Sequence, residues 1–169
     1  NQEIIKLNEM LHNEITNYHN MIVSLNNKEL NKEELTVLVQ YRFVSLKLIL
    51  EEYHKNYPIN ARFFQNKLTY IQGCAQNIAN ILAQVDKSNP IDEKILSVMV
   101  QLNTVTSIIG YVQGELENQP ENENNDVYQK MISYLKLTCE AFQKFNLNLM
   151  YVDDADTHQY FSLNSNRYI

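Results

Sequence analysis

Few residues of this 169-residue chain are of types and spacings that could do chemistry, and its 4 His and 2 Cys are the first to weigh. Glu51 and His54 form an E-x-x-H. On a helix that spacing turns a carboxylate and an imidazole toward one face, as dinuclear carboxylate metal sites in bundles require. Such a site also needs Glu from two further helices, and residues 61–85 contain none. We therefore expect Glu51 and His54 to be solvated. His12 and His19 share one edge of a helix, but seven residues of rise separate them by about 10 Å, too far to share a metal ion. In the acidic run Asp153, Asp154 and Asp156 with His158, a calcium loop starting at Asp154 would close on Glu at its twelfth position, where Ser165 stands. The run reads as a solvated turn. Cys74 and Cys139 lie inside apolar stretches, where a thiol stays protonated, and no Ser sits in a Gly elbow. Two cysteines are too few for a disulfide framework or a zinc site and favour a reducing compartment such as the cytoplasm. We expect no metal, no cofactor and no enzymatic activity.

One short string adds an alternative. Leu11-His12-Asn13-Glu14-Ile15-Thr16-Asn17 resembles the phosphoacceptor box of the histidine kinase dimerisation helix, whose H-D-E-[IV]-x-Q pattern carries a phosphorylated imidazole. Asn13 stands in place of the acid and Asn17 in place of the Gln. The resemblance covers seven residues, and the ATP-binding domain with its Gly-rich lids has no counterpart in the chain. It implies phosphotransfer through His12, without autophosphorylation.

The elements that must carry these residues are helices. Apolar residues recur at spacings of three and four nearly throughout, the helical period and not that of a strand. The first segment, from about Gln2 to Asn26, places Ile4, Leu7, Leu11, Ile15, Tyr18, Ile22 and Leu25 on one stripe. Asn31 with Glu34 reads as a capping pair that opens a second helix, which ends before Pro58. A third is marked by Phe64, Leu68, Ile71, Ala75, Ile78, Leu82 and Val85. Asn89 and Pro90 suit the cap and first position of a fourth. Its stripe is Ile91, Ile95, Val98, Leu102, Val105, Ile109, Val112 and Leu116, the spacing of coiled-coil-like packing. Residues 117–126 lack any apolar side chain and form a loop. A fifth helix, from near Asp126 to about Met150, carries Met131, Leu135, Phe142 and Leu149 inward, with Ile132 and Cys139 alongside. Short links force antiparallel neighbours, so the fold class is all-α: an up-and-down bundle of about five helices over residues 1–150, with an acidic and aromatic tail at 151–169. An odd helix count puts the chain ends at opposite poles, which disfavours a receptor domain looped out of one membrane.

With 3 Gly and 3 Pro, the chain cannot supply the turns of sandwiches and barrels or a phosphate-cradling Gly loop. The formal charge is −6, with Lys and Arg scattered singly, so no basic stripe addresses nucleic acid or an anionic membrane. Nor does any apolar run reach the 18 to 20 residues of a spanning helix. The second helix stands apart because it is apolar on two faces. Val39, Phe43, Leu46, Leu50, Tyr53 and Tyr57 form one stripe, while Val37, Tyr41, Val44 and Leu48 form another nearly opposite. Either this helix is a central one, sandwiched between neighbours, or the second stripe is a docking face for a helical protein partner or a second copy. We expect a non-enzymatic interaction module using Val37, Tyr41, Val44 and Leu48. The alternatives are phosphotransfer at His12 and a small-ligand sensor lined by Gln101, Thr104 and Thr106.

Overall fold

The three-and-four spacing becomes helix wherever the chain is described, which in this computed structural model means residues 2–27, 32–58, 61–84, 93–118 and 125–149. The helices are α1 (Gln2–Asn27), α2 (Lys32–Asn56), α3 (Ala61–Gln84), α4 (Glu93–Glu117) and α5 (Asp126–Leu149), with no strand among the described residues. Asn31, Asn89, Pro90 and the tail at 151–169 lie outside them. Asn125 caps α5, its side-chain oxygen accepting the amides of Val127 at 3.0 Å and Tyr128 at 3.4 Å. Two otherwise unpaired amides of the first turn are thereby satisfied.

Each helix packs on its sequence neighbour, α1 packs on α5 to close the ring, and α2 reaches α5 across the interior. Side-chain pairings fix the directions. Lys130 donates to Asn8 at 2.9 Å while the Tyr18 and Tyr134 rings lie 5.7 Å apart, so α1 and α5 run parallel. Asn146 donates to the Met99 carbonyl at 3.1 Å and to Asn103 at 2.9 Å, while Tyr128 donates to the Leu116 carbonyl, so α4 and α5 run antiparallel. The start of α1 and the end of α5 thus lie at opposite poles, as the odd helix count requires.

The core follows the sequence stripes closely in α4, where Val98, Leu102, Val105, Ile109, Val112 and Leu116 are all buried. In α1 the buried line runs through Leu7, Leu11, Glu14, Tyr18, Met21 and Leu25, so a carboxylate takes the position expected of Ile15, which is half-buried. The centre belongs to α5, not α2. Tyr134, Leu135, Phe142 and Phe145 are fully buried, with Thr138 and Asn146 among them. Phe142 stacks on Phe43 of α2 at 4.9 Å and touches Phe145 at 5.9 Å, joining the far sides of the ring through aromatic contact. No described helix is long and apolar enough to cross a membrane.

Candidate functional site

Along α2, at 100° per residue, the inward stripe Val39, Phe43, Leu46, Leu50 and Tyr53 is buried. Its second stripe is open to solvent: Val37 is 64% exposed, Tyr41 52%, Val44 56% and Leu48 49%. The sandwiched-helix reading of this stripe is therefore corrected. Among the described residues α2 packs on α1, α3 and α5 while this stripe stays open. Between Glu34 and His54 only five residues are exposed, and Gln40 is the sole polar one beside the four of the stripe. The solvent face of α1 differs, offering Glu9, His12, Asn13, Thr16, Asn17, His19 and Asn20.

Beneath the stripe lies a charge pair that sequence reasoning missed. Arg42 Nη1 donates to Glu14 Oε2 at 3.0 Å, with both side chains about nine-tenths buried. Asn17 donates to the other carboxylate oxygen at 3.4 Å. The guanidinium lies between two aromatic faces, 5.1 Å from the buried Tyr18 ring and 4.8 Å from the exposed Tyr41 ring. Tyr41 is thus both the largest side chain of the open stripe and a lid on the ion pair, held by cation–π attraction. Burial pushes the Tyr18 and Tyr134 phenols well above their ordinary range, and the two buried hydroxyls lie close to each other and to Thr138. The missed signal was a charge within a seam: Glu14 continues the spacing of Leu7 and Leu11, and Arg42 interrupts the apolar run Tyr41 to Val44.

The other sequence candidates scatter. His12 is exposed and lines an open groove of about 490 Å³ between α1 and α2, together with Met10, Asn13, Glu14 and Tyr41. On its other side a second groove of about 430 Å³ is bounded by His12, Asn8, Glu9 and Lys130. Glu9 and His12 make a further E-x-x-H, exposed on α1, which sequence reading passed over. Among the described residues no three His, Cys, Asp or Glu side chains are grouped to hold a metal ion. His54 is not solvated as expected, since its ring stacks on Phe64 at 4.3 Å and 8° and its Nδ1 is buried without a partner. Thr104 and Thr106 spend their hydroxyls on the carbonyls of Val100 and Leu102, at 2.9 and 2.8 Å, and Gln101 donates to Ser97 at 3.2 Å. Cys74 is buried and Cys139 half-buried, and burial raises both thiols, Cys139 to about 11. Asp153, Asp154, Asp156 and His158 lie outside the described residues. Compared with known proteins, the chain matches no family model, no curated protein and no solved structure.

Proposed function

We propose that this bundle is a non-enzymatic protein–protein interaction module that presents the α2 face of Val37, Tyr41, Val44 and Leu48 to a helical partner. The carrying observation is that all four are about half or more exposed on a helix whose opposite face is buried. Contiguous apolar surface is rarely left open on a monomer without a use. The groove beside Tyr41 extends the surface toward α1. Tyr41→Asp tests the reading. On an open face the substitution changes stability by no more than about 1 kcal/mol, whereas a buried unpaired carboxylate costs several. Partners captured by the wild type should be lost with Tyr41→Asp and kept with Val100→Asp, a control at an exposed position on α4. A large fall in melting temperature, or equal capture by both variants, overturns the reading.

A second reading is favoured by one observation, that His12 lines the same groove as Tyr41. A partner seated on the stripe would lie beside an exposed imidazole, as phosphotransfer needs. Phosphoramidate labelling that is lost in His12→Gln would support it, and no labelling by any phosphodonor would exclude it.

A further inference from the structure

Resting on the interaction reading above, we infer that the partner of the α2 face is α2 of a second copy, packed antiparallel about a twofold axis that passes between Tyr41 and Val44. Three features of the stripe carry this. The first is its spacing. Val37, Tyr41, Val44 and Leu48 follow one another at four, three and four residues, the spacing of a coiled-coil seam, so the shape it fits is another helix crossing at about 20°. The four-three-four order also reads the same in both directions. Reversing the helix about the axis therefore returns every layer to register, with Val37 against Leu48 of the second copy and Tyr41 against Val44.

Bulk is the second feature. In the antiparallel register each larger side chain meets a valine. A parallel pair would set Tyr41 on Tyr41 and Leu48 on Leu48, with thin valine layers between them. Charge is the third. Flanking the seam, Gln40 meets Lys47 and Leu38 meets Ser45, so no like charges oppose each other beside the apolar layers. Beyond them the register sets Glu34 opposite Glu51, which limits the contact to the four apolar layers.

The available area sets the strength. From their exposures the four side chains offer on the order of 400 Å² per copy, about half of what a standard interface takes from each partner. Met10, Asn13 and Asn17 on the adjoining face of α1 add a rim. Such a contact is at the low end of specific interfaces, so the dimer is weak and its population depends on concentration.

Sedimentation velocity from about 1 to about 300 μM should show the wild type passing from monomer to dimer, while Tyr41→Asp and Val44→Asp weaken the dimer at least about 10-fold. Val44 carries the test independently of the Arg42 contact made by Tyr41. Orientation is read by disulfide trapping. The double variant Val37→Cys/Leu48→Cys should form an interchain disulfide on oxidation, and the single variants should not. Positions 37 and 48 on one helix are about 16 Å apart and cannot bridge each other. The wild type, which keeps Cys74 and Cys139, is the control. A wild type monomeric at every concentration overturns the dimer while leaving a foreign partner on this face open to the capture test. A dimer that survives both Asp variants, or single-cysteine trapping at position 37 or 48, overturns the register. Collapse of the melting temperature in both Asp variants would show a covered face and overturn the interaction reading as well.

Discussion

The buried pair between Glu14 and Arg42 gives the sharpest test of how α1 and α2 are held together. In Arg42→Met the guanidinium is lost but most of its volume is kept. The Glu14 carboxylate is then left with a side chain about one-tenth exposed and the Asn17 amide at 3.4 Å as its remaining donor. Stranding one partner of a buried ion pair costs about 3–5 kcal/mol, since the remaining charge keeps its desolvation penalty and loses its compensation. For a chain of this length each kcal/mol shifts the midpoint by about 2–4 °C, so the melting temperature should fall by roughly 10 °C. The loss also contains the contacts of Arg42 with the Tyr18 and Tyr41 rings. Glu14→Met/Arg42→Met loses those contacts too but strands no charge, so the difference between the variants isolates the carboxylate. The double variant should recover most of the stability, because apolar replacement of a whole buried pair is often neutral or better. Chemical denaturation of the four proteins of the cycle measures this. An Arg42→Met loss below about 1 kcal/mol, or a double variant no better than the sum of the singles, would show that the pair is hydrated and that the α1–α2 interface is looser than described.

Asn125→Ala removes the acceptor for two first-turn amides of α5 and should cost about 1 kcal/mol, read as a midpoint lower by about 2–4 °C. Burial lifts the Cys139 thiol from 9.0 to about 11, so at pH 8 its thiolate fraction is roughly 100-fold below that of an ordinary thiol. Cys139 should therefore react slowly with a disulfide reagent until the chain is unfolded, and equal rates in native and unfolded protein would contradict its burial. At alkaline pH the direction follows from the Tyr18, Tyr53 and Tyr134 phenols, all raised by burial above 10.0. Their contribution to stability is complete below pH 10 and is lost as the pH rises through their folded values. The urea midpoint should fall steeply above pH 10, less so in Tyr134→Phe, and a flat profile to pH 12 would place the phenols in solvent.

Most of the architecture was legible because one physical signal is redundant. In α4, six successive seam positions from Val98 to Leu116 are apolar, and each is buried, so one misplaced letter could not have hidden the helix. In α5 the signal was mixed. Thr138 and Asn146 lie on its buried face because their donors are satisfied there: the Thr138 hydroxyl donates to the Tyr134 carbonyl at 2.7 Å, and the Asn146 amide donates to Met99 and Asn103 of α4. A hydropathy stripe scores such residues as surface, which narrows the apparent face of α5 and transfers the role of central helix to α2. The Glu14–Arg42 pair was hidden in the same way, because a charge in a seam looks like an interruption until its partner on the next helix is known.

The α2 stripe was ambiguous for a different reason. Apolarity on two faces says that a helix has surface to bury twice, and whether the second burial lies within the chain depends on how many neighbours surround that helix. In a closed ring each helix has two lateral neighbours, and the interior supplies a third contact. For α2 the third contact is α5, through Phe43 and Phe142, so its buried sector is already complete with Val39, Phe43, Leu46 and Leu50. For α1, α4 and α5 the outward sector is mainly polar, as solvent demands. Only in α2 does an apolar seam with coiled-coil spacing point out of a ring that has no further helix to offer it among the described residues. Among the described residues no other helix covers Val37, Tyr41, Val44 and Leu48. The palindromic order of the seam makes a second copy of α2 the simplest helix that fits.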